Sequence, residues 1–511
     1  MLAAGILAAG MVATIAFRTY DNSARKARTA SVELKSSPET IAVLPFRDIS
    51  AATSDGWGIG ITDAIISRLT SLQNLAVRPT TSVMKYAKDA PEPTEAAKAL
   101  GVESVLEGTY QRASGVTRVT VQLIDGQTGT TKWSQRYDLK NADILSFEDE
   151  VATKVVAGLQ IEISPTEQKA IQKPVTTSVD AYNNYLQARF DLNEYFMTSR
   201  LDSLEKGQHA ALHAISQDKD FADAYALLAV LYGFQAANFE EDAEGNMKRC
   251  EVAAQNALRI NPESAEAVIA LATAYSEQGK EADAIRTSKR AVELAPNSPV
   301  AWEMLGYSYY YAGLNEPAEL AYRKVIELNP TAPHSHWMHA RMLLYNGRGP
   351  EAEQEMREVV AKNPDQFKAL AYFGQFLYYN GKLDEAEQAL DKARSLGGDT
   401  TDNTARMAAG FLYASRNQRA KIDRRLFGYT PDHIIDGDAA YWTGGIYALL
   451  GDKQHALVWL KRTVALGNVN YPWFQRDKNY DSLRSDPDYQ AVMADVRRRW
   501  EAYRNEFDPG R

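Results

Sequence analysis

The sequence predicts an α+β amino-terminal module followed by an all-α superhelix of repeated helix pairs, with a short transmembrane or signal-anchor helix in front. Three observations predict this arrangement. Residues 2–17 are apolar and uncharged, the next hundred or so residues alternate between strand and helix patterns, and a 34-residue pattern then recurs. The predicted boundaries are 1–18 for the anchor, 19–37 for a linker, 38–172 for the module, 179–467 for the repeats and 468–511 for a capping tail.

Length and composition exclude several classes of protein. The 511 residues are 45% apolar and 24% charged, which is ordinary for globular domains with sizeable cores. A net charge of −9 argues against direct nucleic-acid binding, which leaves a basic footprint. The single cysteine, Cys250, excludes an internal disulfide and a cysteine-based metal site.

The amino-terminal apolar run fits a membrane anchor imperfectly. It is shorter than the roughly 20 residues that a spanning helix needs, and no basic residue precedes it, as one would in a secretory signal. Because the run begins at the second residue, we expect a start codon inside a longer reading frame, or the loss of a cytoplasmic domain. We expect a single-pass membrane protein with most of the chain in the periplasm. Basic residues after the run favour a cytoplasmic location for the rest of the chain under the positive-inside rule, so that alternative stays open.

The module, residues 38–172, follows the order βαβαβββα. Its first strand, Ile41–Phe46, is a continuous apolar run typical of a strand buried on both faces. The elements predicted after it are a helix at 60–72, a strand at 75–80, a helix at 94–101, an antiparallel meander through 104–139 and an amphipathic helix at 144–160.

Two features of the module resemble functional motifs, but a structural role explains each of them better. The glycines of GWGIG, residues 56–60, have the wrong spacing for a dinucleotide-binding loop, so a turn that enters a helix is the better interpretation. Arg47 and Asp48 follow the first strand without a histidine, cysteine or second carboxylate at a motif spacing. They favour a solvated strand end or an ion pair that orders a loop. We therefore predict no catalytic residue and no cofactor site.

The repeats follow the tetratricopeptide pattern. In residues 301–330, the positions that define it carry Trp302, Leu305, Gly306, Tyr309, Ala318, Tyr322 and Pro330. The same spacing recurs upstream and downstream, with looser units around 182–214, 409–427 and 444–466, for about seven or eight helix pairs. Such pairs stack on their neighbours and curve, so the first helix of each pair lines a concave groove.

The groove is the predicted site for a protein or peptide partner. Its expected lining is an aromatic stripe with few charges: Tyr307, Tyr310, Tyr311, Trp337, Arg341, Tyr345, Gln375, Tyr378 and Tyr379. Buried aromatic residues and arginine supply most of the binding energy at protein interfaces. Tyrosine also suits a second role, as a wedge between adjacent repeats, and the sequence leaves both interpretations open.

Two groups of histidines and a basic run have spacings seen in metal or phosphate sites, but in each case the surrounding residues argue against such a site. His334, His336 and His339 lie within six residues, but the repeat pattern directs them to different faces, so no metal site is predicted. His209 and His213 have the one-turn spacing of zinc proteases, yet no glutamate follows the first of them. The run RRRW at 497–500 favours a solvated helix end over a phosphate site.

The module resembles a known domain. The segments that carry the resemblance are IAVLPFRDIS, GITDAIISRL, LAVRPTTSVMKYA, AAKALGVESVLEGTYQR, RVTVQLIDGQTGTTKWSQRYD and LSFEDEVATKVVAGL, in that order. They resemble the TolB-amino-terminal-like domain, which in bacteria often follows a membrane helix and precedes tetratricopeptide repeats. The arrangement is similar to membrane-anchored transcription regulators of the ToxR/CadC type and to some class III adenylate cyclases. Their activity resides in an amino-terminal winged-helix or cyclase domain, so the resemblance implies no catalytic residue here.

These observations favour a non-enzymatic, membrane-anchored interaction scaffold or sensor, similar to the sensing half of a one-component transcription regulator. Its expected partners are a protein or peptide in the groove, the membrane through the amino-terminal helix, and a second copy of the chain if the module self-associates. One alternative is a truncated DNA-binding regulator that lacks its winged-helix domain. Another is a cell-envelope assembly factor, which rests on analogy with the TolB-like domain alone.

Overall fold

The structure is a computed structural model that describes residues 38–508, except 50–55, 88, 90, 114, 141–143, 173, 199, 238–241 and 398–403. The predicted anchor at 1–18 and linker at 19–37 lie outside the described residues. Among the helices that are described, none has the length and hydropathy to cross a membrane. Residues Glu39–Arg511 form one compact unit.

A six-stranded mixed sheet forms the centre of the amino-terminal module. Five strands follow the order β3-β1-β4-β5-β6, and the sixth, β2, pairs with β4 beside β1. Strand β1 runs parallel to β3 and β4, while β4, β5 and β6 are an antiparallel meander. The strands are β1 (Glu39–Val43), β2 (Arg47–Asp48), β3 (Leu75–Val77), β4 (Ser104–Ala113), β5 (Val116–Asp125) and β6 (Thr131–Leu139). The helices are α1 (Trp57–Thr70), α2 (Thr80–Val83), α3 (Pro93–Leu100), α4 (Ile144–Gly158) and α5 (Pro165–Gln172).

The first strand ends earlier than the apolar run predicts. Pro45 has no N–H to donate to a neighbouring strand, and β1 stops at Val43. Phe46 is still buried, and its N–H donates to Thr62 Oγ1 at 3.0 Å. Arg47, which is exposed, and Asp48 do not end β1; they form a separate two-residue strand, β2, that pairs with β4.

The rest of the chain is a superhelix of helix pairs, as the sequence predicts. The described residues contain seven full pairs: α6 (Val179–Thr198) with α7 (Leu201–Gln217), α8 (Ala222–Ala237) with α9 (Ala243–Ile260), α10 (Ala265–Glu277) with α11 (Glu281–Leu294), α12 (Pro299–Tyr311) with α13 (Asn315–Leu328), α14 (Pro333–Tyr345) with α15 (Gly349–Lys362), α16 (Phe367–Tyr379) with α17 (Leu383–Gly397), and α19 (Gly437–Leu449) with α20 (Lys453–Ala465). Between the last two pairs, α18 (Thr404–Ser415) is followed by 3₁₀ turns at 419–421 and 424–427 instead of a second helix. Two further helices close the chain, α21 (Tyr471–Phe474) and α22 (Pro487–Phe507).

The repeat period is visible in the backbone of the turns. Four glycines 34 residues apart join the two helices of successive pairs in the left-handed region: Gly279, Gly313, Gly347 and Gly381, with φ of 72°, 74°, 85° and 79°. Residues with a side chain rarely adopt this conformation, whereas glycine does so at little cost. The turn glycines therefore fix where each pair reverses direction.

The hydrophobic core is divided within the repeat array, not at the boundary between module and array. One core joins the sheet, α1 and α4 to the first repeats, α6 to α10. A second core runs from α11 to α22. The module and the first repeats therefore share one buried apolar core.

Glycine permits the closest approach between the module and the array. A Cβ at Gly60 of α1 would lie 2.6 Å from the carbonyl oxygen of Leu186 in α6, so only glycine fits there. Gly56 begins α1 in the left-handed region with φ of 80°. The glycines at 56–60 thus act in helix entry and packing.

A buried arginine adds a polar joint between the module and the array. Arg78, which is 1% exposed, donates to the carbonyl oxygens of Leu100 at 2.8 Å and Gly101 at 2.5 Å in the module. It also donates to the carbonyl of Leu328, the last residue of α13. Burial lowers the pKa of Arg78 to about 10. Its guanidinium thus joins the carboxyl ends of two helices, where the helix dipole favours a cation.

Candidate functional site: the inner face of the repeats

The nine residues predicted to line the groove lie on one face of three successive first helices. Tyr307, Tyr310 and Tyr311 are on α12, Trp337, Arg341 and Tyr345 on α14, and Gln375, Tyr378 and Tyr379 on α16. We call these nine the inner-face residues. Their rings contact each other: Tyr307 and Tyr311 have centroids 4.4 Å apart, and Tyr310 and Tyr345 have centroids 5.7 Å apart. The repeat geometry brings the predicted stripe together.

The chain's own carboxy-terminal residues cover this face. Asp438, in the first turn of α19, accepts hydrogen bonds from the Tyr310 hydroxyl and from Arg341 Nη1, the latter at 2.7 Å. Asn468 Nδ2 donates to the same carboxylate at 2.9 Å. Arg341 and Asp438 are both buried, so the one cation of the stripe already has an anionic partner.

Residues 466–483, which include the short helix α21 and a 3₁₀ helix at Lys478–Leu483, then cross the face; we call this stretch the closing segment. The Val469 N–H donates to the Tyr311 carbonyl at 2.8 Å. The Trp473 ring stacks on Tyr345 with centroids 4.1 Å apart. The Tyr378 hydroxyl donates to Asn479 Oδ1 at 2.6 Å. The segment therefore binds the inner face through its backbone, an aromatic ring and a side-chain amide.

The cover leaves the inner face little exposed in this conformation. Seven of its nine side chains are buried, with exposures of 0% for Tyr311 to 9% for Tyr378, while Tyr307 and Tyr379 are partly buried. Some of these residues have the wedge role that the sequence left open: the Trp337 ring stacks on Tyr372 of the next repeat, 5.0 Å away, and Tyr378 stacks on Phe411 of α18, 5.9 Å away. Most of the others contact the carboxy-terminal residues instead of an open groove.

Acidic groups next to the inner face carry shifted pKa values. Burial, together with the charge of Asp438, raises the pKa of Asp436 to about 6. Burial and the charge of Asp436 raise the pKa of Glu277 to about 8, although the Tyr307 hydroxyl donates to it at 3.0 Å. Arg341 is the cation that partly offsets this acidic group.

The three clustered histidines do not converge on one point. His334 pairs with Glu303 at 2.6 Å, whereas His336 and His339 share the two oxygens of Glu355, at 2.8 and 2.7 Å from their Nδ1 atoms. Within the described ranges, no group of three or more histidine, cysteine or acidic side chains is arranged to hold a metal ion. The structure gives His336 and His339 a role in joining α14 to α15.

The histidine pair has a predictable dependence on pH. The hydrogen bond to Glu355 raises the pKa of His336 above its ordinary 6.5. Burial by itself would raise the pKa of Glu355, but the hydrogen bonds from the two histidines outweigh burial and lower that pKa below 4.5. The stabilisation therefore fades as pH rises above about 6.5 and as it falls below about 4.5. Glu355→Gln is expected to lower the free energy of unfolding by about 1 kcal/mol at pH 6 and by less at pH 8.5. Urea unfolding at both pH values measures this.

The matched control for that prediction lies on the same helix. Glu358 is exposed, and among the described residues its side chain accepts a hydrogen bond only from Gln354 Nε2, at 3.0 Å. Glu358→Gln is expected to change stability little and equally at both pH values. An equal loss for Glu355→Gln at pH 6 and pH 8.5 would contradict a role for protonated His336.

The structure also brings together buried charges that the sequence analysis missed. Arg189 of α6 donates to both oxygens of Glu266 in α10, at 2.8 and 2.7 Å, and lies 3.2 Å from Asp63 of α1. Its Nε donates to the Tyr185 hydroxyl at 2.9 Å. The sequence does contain a signal for this site. Arg189 falls one turn after Tyr185, so a charged residue lies on the apolar face of the helix.

Known protein families match two parts of the chain. Residues 37–154 match the model of the second domain of HilA/YgeH-like transcriptional regulators. Residues 243–306, 299–331 and 337–400 match tetratricopeptide-repeat models. The resemblance to a TolB-like domain and to ToxR/CadC-type regulators stays a prediction, while the repeats and a regulator-associated domain are supported.

One curated relative is a putative adenylate cyclase 3 of Rhizobium meliloti (strain 1021). It is 31% identical over 194 residues, which are 38% of this chain and 32% of the relative. The chain thus spans about a third of the relative's length. Tetratricopeptide repeats are typically non-catalytic, and the relative's name is weak evidence for an enzyme.

Solved structures are similar to parts of this chain at low identity. MamA is 22% identical, covering 30% of this chain and 90% of MamA with a TM-score of 0.27. PilF of Pseudomonas aeruginosa is 19% identical, covering 42% of this chain and 96% of PilF with a TM-score of 0.33. A thermophilic tetratricopeptide-repeat protein of Thermus thermophilus is 20% identical, covering 37% of this chain and 97% of that protein with a TM-score of 0.32. Scores this low carry no information on function.

Proposed function

We propose that this chain is a non-enzymatic protein-interaction scaffold and the sensing half of a membrane-anchored, one-component transcription regulator. The observation that carries the proposal is the shared buried core between a regulator-associated module and a tetratricopeptide array. The module and the first repeats are packed as one body, and Arg78 of the module also donates to the Leu328 carbonyl in α13, so a partner that binds the repeats can change the position of the module with them.

The scaffold is held at the membrane by residues 2–17, with most of the chain in the periplasm. An uncharged apolar run of this kind followed by a polar linker supports an anchor. A reporter enzyme that is active only in the periplasm, fused to the carboxy terminus, is expected to be active. Activity only of a cytoplasmic reporter at the same position would contradict this orientation.

A partner peptide binds the inner-face residues in the place of the closing segment. The contacts of the covered face indicate the chemistry of that peptide. Tyr345 suits an aromatic ring, since Trp473 stacks there, and the Tyr378 hydroxyl suits a side-chain amide, since it donates to Asn479 Oδ1. The partner is therefore a peptide with an aromatic residue and a side-chain amide.

The test of this proposal uses a labelled peptide of residues 466–483 and the purified full chain. Trp473→Ala removes the stack on Tyr345 and is expected to let the peptide bind with micromolar affinity, at least tenfold tighter than to the unaltered chain. Adding Tyr345→Ala to Trp473→Ala is expected to abolish that binding. Equal binding of a scrambled peptide, or no binding to Trp473→Ala, would contradict the proposal.

A second candidate function is that of a DNA-binding regulator whose winged-helix domain precedes the module. The observation that favours it is the match of residues 37–154 to a model described as a second domain. An in-frame winged-helix coding region upstream of the gene is the expected finding. A stop codon in that frame just before Met1 would exclude this candidate.

A further inference from the structure

The last helix, α22, is held in two different ways along its length. Its three buried residues, Tyr489, Met493 and Val496, all lie in the amino-terminal half, and the helix packs on α20. Every residue of the carboxy-terminal half, residues 497–507, is exposed or only partly buried. Segments with few buried apolar contacts open more easily than the rest of a fold. The second half of α22 can therefore separate while the first half stays in the core.

The carboxy-terminal half of α22 reaches back to the third and fourth helix pairs. Trp500 Nε1 donates to the Gly313 carbonyl at 3.1 Å, in the turn between α12 and α13. Glu506 pairs with Arg286 of α11 at 2.5 Å, and the Arg286 guanidinium lies 5.7 Å from the centroid of the Phe507 ring. These contacts join the end of the chain to the middle of the repeat array.

The same half of α22 lies against the closing segment. The Trp500 ring stacks on Tyr471 with centroids 5.4 Å apart. A Cβ at Gly313 would lie 2.8 Å from Trp500 Cδ1 and 3.1 Å from Asn470 Cα, so the Gly313 turn is enclosed between α22 and the closing segment. Asn470 is buried and donates to the Tyr310 carbonyl at 3.0 Å. One continuous contact therefore joins α22, the closing segment and the inner-face helix α12.

A buried carboxyl destabilises the closed arrangement. Glu281, the first residue of α11, is 0% exposed, and its Oε1 accepts from Ser276 Oγ at 2.8 Å. Its Oε2 has no hydrogen-bond partner among the described residues. A Cβ at Gly467 would lie 3.0 Å from Glu281 Oε1, so the closing segment covers this carboxyl. An unpartnered acceptor disfavours the state that buries it, and departure of the closing segment would let water reach it.

We propose that α22 is an autoinhibitory clasp, whose carboxy-terminal half must leave α11 and the Gly313 turn before the closing segment can leave the inner face. The clasp regulates the site of the proposed function, on which this inference rests. Its basis is the order of the contacts. Trp500 and the Gly313 turn hold Tyr471 and Asn470 in place, so the start of the closing segment is free to move only after Trp500 has detached.

The first test follows hydrogen exchange in the purified full chain in mild detergent. Trp500→Ala removes the stack on Tyr471 and the hydrogen bond to Gly313. The Val469 amide, which donates to the Tyr311 carbonyl, is expected to exchange about tenfold faster in this variant. Amides of α6 and α7, at the start of the array, are expected to exchange as before. Unchanged exchange at Val469 would overturn the proposal.

The second test reverses a charge at the far end of the clasp. Glu506→Lys puts a lysine beside Arg286 and Lys289, whose Nζ lies 5.4 Å from the centroid of the Phe507 ring. Because the pair is exposed, the closing segment is expected to exchange only about threefold faster. Adding Arg286→Glu restores opposite charges and is expected to return the exchange to within about twofold of the unaltered chain.

Glu501→Lys is the matched control for the charge reversal. Glu501 pairs with Arg497 of the same helix at 2.8 Å, so this pair does not hold α22 to α11. The control makes the same change of charge and is expected to leave exchange of the closing segment unchanged. Equal acceleration by Glu501→Lys and Glu506→Lys, or no rescue by Arg286→Glu, would overturn the clasp.

The labelled peptide of residues 466–483 separates this inference from the proposed function. Because Trp500→Ala raises the open fraction, this variant is expected to bind the peptide about tenfold tighter than the unaltered chain. Faster exchange in Trp500→Ala without peptide binding supports the clasp and contradicts the peptide proposal. Unchanged exchange in Trp500→Ala, together with peptide binding to Trp473→Ala, overturns the clasp and leaves the proposed function standing.

Discussion

Replacing Arg189 by methionine is expected to lower the free energy of unfolding by about 3–5 kcal/mol. The Arg189 guanidinium is the shared cation of Glu266 and Asp63, and its side chain is 6% exposed. Methionine fills much of the same volume but leaves two carboxylates without their cation. Breaking a buried pair from one side costs more than the pair contributes, because the remaining charge cannot reach water.

The loss is expected to depend on pH. Burial raises the pKa of Glu266 despite the opposing charge of Arg189, and burial raises the pKa of Glu148, in the same cluster, to about 8. Without Arg189 the carboxylates must take up protons to stay buried, which costs more as pH rises above their ordinary range near 4.5. The variant is therefore expected to lose more stability at pH 8 than at pH 5.

Urea unfolding followed by circular dichroism at pH 5 and pH 8 measures both effects, with hydrogen exchange of α1 and α6 to localise them. Arg200→Met is the control, since Arg200 is exposed and pairs with the exposed Asp202 at 2.6 Å. The unfolding midpoint of the control is expected to stay unchanged. Similar curves for Arg189→Met and Arg200→Met would contradict the role of Arg189 as the joint between module and array.

Replacing Asp438 by asparagine is expected to cost a similar amount, about 3–5 kcal/mol, and to loosen the closing segment. The Asp438 carboxylate accepts from Arg341, Tyr310 and Asn468, and the neutral amide leaves the Arg341 guanidinium buried without an anion. Hydrogen exchange is the measurement. The Val469 amide, which donates to Tyr311, is expected to exchange faster in the variant.

A double-mutant cycle separates the interaction energy of Arg341 with Asp438 from the unrelated effects of each substitution. Arg341→Met with Asp438→Asn removes both charges, so it is expected to cost less than the sum of the single variants, by about 0.5–3 kcal/mol. Asp391→Asn is the control, because Asp391 pairs with Arg394 at 3.5 Å on the exposed side of α17. Additive losses in the cycle would mean that the pair does not hold the carboxy-terminal residues on the inner face.

Local patterns predicted the elements of the fold well. The 34-residue spacing, the alternation of the meander and the Asp486–Pro487 start of the last helix reflect near-neighbour geometry. In the structure, Asp486 accepts from the N–H groups of Asp488 and Tyr489. Strand ends were less predictable: β2 was missed because a two-residue strand has no periodicity, and its pairing with β4 depends on a partner about 60 residues away.

Spacing along the chain was enough to predict that helix pairs with a 34-residue period follow an α+β module, and that one face of α12, α14 and α16 is aromatic. The residues that cover that face, and those that join the module to the repeats, became visible in the folded structure alone. Both depend on contacts between residues far apart in sequence, such as Asp438 with Arg341 and Arg189 with Asp63, and the spacing along the chain does not reveal which buried charges meet. The curvature of the superhelix brings these residues together, and it accumulates from small rotations between repeats that no single segment encodes.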